Sequence, residues 1–200
     1  QRQMCIRDRG HADFSGEVER IMGMVDGVLL VVDAYEGTMP QTRFVLKKAL
    51  EYNHKAIVVI NKIDKPSARP AVVIDQVLDL FIDLGANDEQ LEFPVVYTSA
   101  VNGTSSLSED IATQSKGMIP LLDMILKEIP DPIYDYDAPL QFQPALLDYN
   151  DYVGRIGIGR ITRGKMHLNE MVSCVRVDKS IKKFRIQKIY SFPVSYTHLT

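Results

Sequence analysis

The feature that most limits the fold of this chain is an uninterrupted apolar run, Ala56–Ile60, that ends abruptly in the polar residues Asn61–Asp64. Four of the five apolar residues are β-branched, and no polar residue alternates with them, which indicates a strand buried on both faces of a parallel sheet. Ligands in such sheets bind just beyond the carboxyl ends of the strands. We therefore expect Asn61–Asp64 to face a ligand.

The segment Asn61–Asp64 contains the side chains that a purine site requires. A carboxylate accepts two parallel hydrogen bonds, and guanine offers two adjacent donors, N1–H and the exocyclic amine, whereas N1 of adenine is an acceptor. Asp64 can therefore select guanine, while Lys62 covers the face of the base and Asn61 braces the loop. A hydrogen bond to a charged group is worth roughly 1.5–3 kcal/mol, which gives discrimination of about a hundredfold. The alternative is a polar turn that only caps the strand.

The overall composition is that of an ordinary soluble protein. Of the 200 residues, 46% are hydrophobic and 24% charged, and with a net charge of -3 any nucleic-acid contact has to be local. The two cysteines, Cys5 and Cys174, form neither a disulfide framework nor a metal-ligand spacing. No apolar stretch reaches the ~18 residues of a membrane helix, and the first residues lack the apolar core of a signal peptide. We therefore expect a cytoplasmic protein that does not enter a membrane.

Helix and strand patterns alternate through the first two thirds of the chain. Apolar residues spaced three and four apart predict helices, and short apolar runs predict strands. Proline suits the first turn of a helix, and glycine its end. The predicted order is a helix around 15–25, a strand at 28–32, a helix at 40–53, a strand at 56–60, a helix at 70–84, a strand at 93–97 and a helix at 120–129. This order predicts an α/β domain with a parallel sheet and helices on both faces.

The strand at 93–97 leads into Thr98–Ala100. If the strands are parallel neighbours, Ser99 and Ala100 lie at the same sheet edge as Asn61 and Asp64, and their small side chains let backbone N–H groups approach a ligand. The polar segment 102–116 predicts a surface loop. The last helix is expected to bury its apolar residues, which are Leu121, Leu122, Ile125, Leu126 and Ile129.

A linker at 130–139 with three prolines separates this domain from a β-rich module. Beyond the linker, apolar runs broken by turn residues predict strands at 140–148, 152–162, 171–177 and 184–189, which we interpret as part of a β-barrel. Gly159–Lys165 matches the phosphate-loop pattern Gly-x4-Gly-Lys. Met166, however, stands where Mg²⁺ needs a Ser or Thr hydroxyl, and no helix follows. We interpret this segment as a hairpin turn.

Both ends of the chain differ in character from the rest. Residues 1–9 have no periodicity, and residues 193–200 do not continue the strand pattern before them. We interpret both as non-native additions and exclude them from fold reasoning. The predicted domains are the carboxyl-terminal part of a nucleotide-binding domain at 10–134 and the start of a barrel domain at 135–192.

Three motifs in this order resemble those of translational GTPases, namely Gly10–Phe14, Asn61–Asp64 and Ser99–Ala100. The resemblance extends from about Gly10 to Phe192 and is greater to the TypA/BipA family of ribosome-binding GTPases than to elongation factors G or Tu. The stretches that indicate this family are Gly16–Met22, Met39–Leu46 and Leu147–Arg155.

The resemblance implies a GTP-binding domain of the P-loop GTPase fold, followed by a β-barrel domain, and GTP hydrolysis stimulated by the ribosome. It implies that His11 orients the attacking water and that Gly10 meets the γ-phosphate through its N–H. The implied guanine site consists of Asn61, Lys62 and Asp64, with Ser99 and Ala100 on the O6 side of the base. The reaction is phosphoryl transfer to water, in which positioning and charge stabilisation dominate.

The resemblance also implies the ligands and partners of the protein. The ligands are GTP and GDP, with Mg²⁺ in the full-length protein, and the partners are ribosomal RNA and ribosomal proteins. We expect a monomer that acts in ribosome assembly or in translation during cold and other stress.

The chain also departs from the family pattern. The phosphate loop and the first switch, with the Mg²⁺ ligands, are missing, as are the domains beyond the barrel. The second-switch motif Asp-Thr-Pro-Gly is reduced to Gly10, because Arg7, Asp8 and Arg9 precede it, and Ser15 stands where glycine is usual. We therefore expect a fragment that recognises the base but does not hydrolyse GTP.

Three alternatives stay open. One is a different translational GTPase, of the elongation-factor or ribosome-protection type, and another is a truncated guanine-binding module without hydrolytic activity. A dehydrogenase-type nucleotide fold is disfavoured, because no Gly-x-Gly-x-x-Gly joins a strand to a helix in the α/β part.

Overall fold

The computed structural model describes residues 15–132 and 134–190. The expectations for Gly10, His11 and both chain ends lie outside these residues. The described residues divide into two compact units, one formed by residues 15–132 and 145–158 and the other by residues 134–144 and 159–190.

The elements up to residue 128 alternate between helix and strand, as the sequence predicts. Pro40 and Pro70 occupy first helical positions, where the missing N–H costs no hydrogen bond. Gly85 follows the helix that begins at Pro70 and has a φ of +78°, which a residue with a side chain rarely adopts. The elements are α1 (Ser15–Met22), β1 (Gly27–Asp33), α2 (Pro40–Glu51), β2 (Lys55–Asn61), α3 (Pro70–Asp83), α4 (Asp88–Leu91), β3 (Val95–Ser99), β4 (Thr104–Ser106), a 3₁₀ turn (Ile111–Thr113), β5 (Ser115–Lys116) and α5 (Ile119–Glu128).

The five strands form one mixed sheet in the order β1-β2-β3-β4-β5. The pairs β1–β2 and β2–β3 are parallel, whereas β3–β4 and β4–β5 are antiparallel. The α/β prediction is therefore confirmed. The prediction of a plain surface loop over 102–116 is wrong, because β4 and β5 extend the sheet there. Their residues are Ser, Thr and Lys and show no apolar alternation that would indicate strands.

Strand β2 is buried on both faces, as its apolar run indicates. Val58 and Ile60, each 0% exposed, pack in a cluster with Val77 and Phe81 of α3. Ile57 packs in a second cluster on the opposite face. Helices therefore cover both faces of the sheet at β2, which places the carboxyl end of this strand on a rigid base.

Helix α5 covers that second face, but with a different set of residues from the expected one. Leu121, Ile125 and Ile129 pack against the cluster of Ile57 as expected, and Met124 joins them. Leu122 and Leu126 are 55% and 81% exposed, so their expected burial is wrong. A helix presents only one stripe to a sheet, and apolar residues in adjacent rows satisfy the same spacing rule.

The remaining residues form two two-stranded sheets. One pairs β6 (Gln141–Asn150) with β7 (Gly154–Arg163), and the other pairs β8 (Met171–Val175) with β9 (Ile181–Arg185) in antiparallel fashion. The β-rich character predicted beyond residue 139 is confirmed. Among the described residues, no helix has the length and apolar character needed to cross a membrane.

Candidate guanine-binding site

The carboxyl ends of β1, β2 and β3 meet at one edge of the sheet. Asp33 lies opposite Asn61 in the register of β1 and β2, and Asn61 lies opposite Thr98 in that of β2 and β3. Because the three strands are parallel, the loops that follow them start side by side. The structure thus brings Asn61–Asp64 together with Ser99 and Ala100, the segments that the sequence singles out.

The Asn61 side chain joins these two segments. Its Oδ1 accepts hydrogen bonds from the backbone N–H of Lys62 at 2.8 Å, from the Thr98 hydroxyl at 3.2 Å and from the backbone N–H of Ala100 at 3.1 Å. One amide oxygen therefore holds the loop after β2 against the end of β3. The N–H of Ala100 is therefore used within the protein and is not available to a ligand, contrary to the expectation from the sequence.

The loop itself has a special backbone at Lys62. This residue has a φ of +67°, in the left-handed region that residues other than glycine seldom occupy. The Asn61 side chain stabilises this left-handed conformation by accepting a hydrogen bond from the N–H of Lys62. The next residue, Ile63, is buried at 2% exposure. The loop is therefore anchored on both sides of Lys62.

Asp64 follows this anchored segment and is exposed. Within residues 15–132 and 134–190, its carboxylate has no hydrogen bond or ion pair. Ser99, in contrast, is 2% exposed, and its hydroxyl accepts the backbone N–H of Asn102 at 3.3 Å. A free carboxylate beside a braced loop has the acceptor pair that the N1–H and amine of guanine require.

A further residue at this edge, Asp33, was not singled out from the sequence. Its Oδ2 accepts a hydrogen bond from the Lys62 ammonium and lies 3.6 Å from Nζ of Lys65. Its Oδ1 accepts the backbone N–H of Tyr35 at 2.8 Å and that of Glu36 at 3.4 Å. Its position directly after a wholly apolar strand, like that of Asn61, was the available signal.

These contacts favour the ionised form of the Asp33 carboxyl group. Burial of the carboxyl raises its pKa, but the hydrogen bond from Lys62 and those from the N–H groups of Tyr35 and Glu36 outweigh that effect and lower the pKa from 3.8 to about 2. In return, the hydrogen bond to Asp33 raises the pKa of Lys62. Both groups are therefore charged at neutral pH.

The described residues do not supply the rest of a nucleotide site. Gly10 and His11 lie outside them, and no group of three or more His, Cys, Asp or Glu side chains in this part of the chain can hold a metal ion. The interpretation of Gly159–Lys165 as a hairpin turn is wrong, because Gly159–Arg163 lies within β7, which pairs with β6 and not with the strand that follows. Only Gly164 bends the chain, with a φ of +71°. As the sequence predicts, no helix follows the segment within the described residues. The arrangement of Asp64 and the loop that holds it fits a guanine base.

Comparison with known proteins points to the same class of ligand. Residues 4–131 match the family described as "Elongation factor Tu GTP binding domain". A Bacillus subtilis (strain 168) protein named "Large ribosomal subunit assembly factor BipA" is 64% identical over 183 residues, which are 92% of this chain and 30% of that protein. Proteins of the same name from Escherichia coli (strain K12) and Haemophilus influenzae are 55% and 54% identical over 181 residues, 90% of this chain and 29% of each protein. The chain thus spans less than a third of the length of the curated relatives it matches.

Proposed function

Because the chain belongs to the elongation factor Tu GTP-binding domain family, we propose that it forms the guanine-recognising part of a ribosome-associated GTPase that acts in assembly of the large ribosomal subunit. The name shared by the similar proteins supports the assembly role. The observation that carries the proposal is Asp64, which is exposed and has no partner among the described residues, at the end of a loop that Asn61 ties to Ala100.

The proposed guanine site assigns one task to each residue. Asp64 accepts the N1–H and the exocyclic amine, the Lys62 stem lies on the face of the base, and Asn61 braces the loop. Ser99 and Ala100 border the O6 side of the base. The hydrogen bond from the Ala100 N–H to Asn61 at 3.1 Å supports this division of roles, because it keeps the two loops at a fixed spacing.

The substitution Asp64→Asn tests the base assignment. An asparagine retains one acceptor oxygen but replaces the other with an amide donor, which suits the C2 carbonyl of xanthine better than the amine of guanine. In the full-length protein we expect GDP affinity to fall by about a hundredfold and xanthosine diphosphate affinity to rise, since each 1.4 kcal/mol is a factor of ten. Asp75→Asn, a substitution on α3, is the matched control. Unchanged GDP affinity in Asp64→Asn would show that this carboxylate does not read the base.

For the hydrolytic step, the proposal includes Gly10 and His11. Gly10 would donate its N–H to the γ-phosphate, and His11 would orient the attacking water. Mg²⁺ would supply charge neutralisation on the phosphates, and its ligands would come from outside the described residues. Hydrolysis is then a property of the full-length protein, and the 200-residue chain alone is a binding module without activity.

A comparison of two proteins shows whether GTP hydrolysis requires the full-length protein or occurs in the 200-residue chain alone. GTP hydrolysis is measured with ribosomes for the 200-residue chain and for the same chain preceded by the amino-terminal segment of the Bacillus subtilis relative. We expect turnover only in the longer protein. Equal turnover in both would contradict the proposed division between base recognition and phosphate binding.

The proposed partner is the ribosome, and a local concentration of positive charge supports contact with ribosomal RNA. Residues 171–190 contain six Lys and Arg residues and one acidic residue, Asp178, in a chain whose net charge is -3. In the described part of the chain, none of the six forms a salt bridge, and β9 is exposed throughout. Unpaired cations on an exposed strand favour binding to phosphates. We further propose that the protein acts in the cytoplasm as a monomer, with a barrel domain over 135–192.

A further inference from the structure

A carboxylate that the family motifs do not include lies between the two lysines of the base-recognition loop. We propose that Asp33 is a positioning residue of the guanine site, which fixes Lys62 so that its side chain is already ordered when the base arrives. This inference rests on the proposed guanine-binding function and extends it to a residue on a neighbouring strand.

The two oxygens of Asp33 have separate partners. Oδ2 accepts the Lys62 ammonium and faces Nζ of Lys65 at 3.6 Å, whereas Oδ1 accepts the backbone N–H of Tyr35 at 2.8 Å. The Asp33 side chain is only 10% exposed, while those of Lys62 and Lys65 are 45% and 41% exposed. The carboxylate is thus the buried, fixed member, and the lysines are the members that it orders.

The segment that carries Asp33 is itself rigid. The Asp33 carbonyl accepts the N–H of Gly37 at 3.0 Å, and Gly37 has a φ of +74° with the Gln76 side chain against it. The Arg69 guanidinium donates to the Tyr35 carbonyl at 3.2 Å from both Nε and a terminal nitrogen. A carboxylate held by such a segment cannot follow a moving lysine, so the lysine has to adapt to it.

Ordering matters at Lys62 because of the length of its side chain. A free lysine stem has several rotatable bonds, and binding a base against it would immobilise them at that moment. An ammonium already held by Asp33 has lost that freedom before the ligand binds, which increases affinity without any new contact to the ligand. Asp33 therefore acts on the base through Lys62 and does not touch it.

The variant Asp33→Asn tests this role with little disturbance of the turn. Asparagine keeps an oxygen for the N–H groups of Tyr35 and Glu36 and places an amide donor against the Lys62 ammonium. In the full-length protein we expect GDP affinity to fall about tenfold, with an unchanged ratio of GDP to inosine diphosphate affinity, since Asp64 still reads the amine. Asp83→Asn is the matched control, because Asp83 also pairs with a cation, Arg43 at 3.3 Å, but on an exposed surface.

The coupling to Lys62 distinguishes positioning from a merely structural role. In a Lys62→Met background, which keeps the stem and removes the ammonium, we expect Asp33→Asn to change GDP affinity by less than twofold. A tenfold loss in both backgrounds, or no loss in the native background, would overturn the proposal. If the unmodified protein does not bind GDP at all, the proposed function fails first.

Folding is checked by the urea midpoint of each variant. If Asp33→Asn does not fold, Asp33→Glu replaces it, because glutamate keeps the charge and displaces it by one methylene. We then expect Asp33→Glu to weaken GDP binding in the native background and to cause no further loss of GDP affinity in the Lys62→Met background. Affinity equal to that of the unmodified protein in Asp33→Glu would overturn the proposal.

Discussion

At the scale of single residues, the candidate site depends on two acceptors at neighbouring strand ends. Asn61 accepts three hydrogen bonds with one oxygen, and Asp33 divides its two oxygens between a turn and a lysine. Neither Asn61 nor Asp33 is exposed as Asp64 is, but both hold the loop that carries the Asp64 carboxylate. The candidate site therefore consists of the exposed carboxylate of Asp64 together with the two residues that hold its loop.

The substitution Asn61→Ala is expected to lower the free energy of unfolding by about 1–3 kcal/mol. It removes the acceptor of three hydrogen bonds, and of the three donors only the Thr98 hydroxyl belongs to a buried residue, where an unsatisfied polar group costs roughly 1–3 kcal/mol. Urea unfolding at neutral pH measures this change. Asn102→Ala, at an exposed position whose side chain makes no hydrogen bond in the described part of the chain, is the control and should change stability by about 0.5 kcal/mol or less. Similar values for the two variants would contradict the role of Asn61.

The acid dependence of stability reports on Asp33. Its pKa is lower in the folded state than in the unfolded chain, so the stabilisation that it provides is present above pH 3.8 and is lost as the pH falls towards 2. We expect the difference in urea midpoint between the native protein and Asp33→Asn to be largest at neutral pH and to shrink between pH 4 and pH 2. A difference that stays constant over this range would mean that the carboxylate is not held as an anion.

At the scale of elements, the site is positioned by the burial of β2 between two layers of helix. Val58 and Ile60 face the cluster of α3, and Ile57 faces that of α5. Because β2 is packed on both faces, it cannot slide, and the loop that follows it has a defined position at the edge of the sheet. The geometry of Asn61 and Lys62 therefore depends on side chains that lie far from any ligand.

The substitution Phe81→Ala is expected to destabilise the layer that α3 forms against β2. Phe81 is 0% exposed and packs on Phe93 with ring centroids 4.6 Å apart. Truncation of a buried phenylalanine costs about 3–5 kcal/mol, since it leaves a cavity. Leu122→Ala, at a residue that is 55% exposed, should cost less than about 1 kcal/mol. Thermal unfolding of both variants measures the contrast, and equal losses would contradict the observed orientation of the helices.

Elements with a distinctive residue pattern can be predicted from the sequence. The apolar run of β2 and the prolines at the starts of α2 and α3 mark their elements directly. The strands β4 and β5 were missed, because Thr104–Ser106 is polar and becomes a strand only through pairing with β3. Asp33 was missed for a related reason, since its partner Lys62 is distant in sequence and only the sheet register brings them together.

At the scale of the whole molecule, the charge is unevenly distributed. The net charge is -3, yet the segment 171–190 has six cations and one carboxylate. Lys183 and Arg185 are two residues apart on β9 and therefore share a face, and Lys179 lies in the turn that leads to that strand. This hairpin is the part of the described chain best suited to contact a phosphate backbone.

Neutralising this hairpin is expected to weaken ribosome binding selectively. The triple variant Lys179→Gln, Lys183→Gln and Arg185→Gln should bind ribosomes less tightly. It should also reduce the magnitude of the slope of log affinity against log salt by about 2 to 3, because a protein with fewer phosphate contacts releases fewer counterions when it binds. Lys47→Gln, Lys116→Gln and Lys127→Gln make the same change in net charge elsewhere. Equal effects of the two triple variants, measured by sedimentation, would exclude a specific contact by the hairpin.

The bond between Asn61 and Ala100 also constrains when the site can exist during synthesis. The chain emerges from its amino end, and the loop after β2 lacks two of its three donors to Asn61 until the end of β3 has left the exit tunnel. A nascent polypeptide that ends before residue 100 therefore carries residues 61–64 without the hydrogen bond from Ala100. The candidate site can therefore take its braced form only after β3, a strand of five residues, has been synthesised.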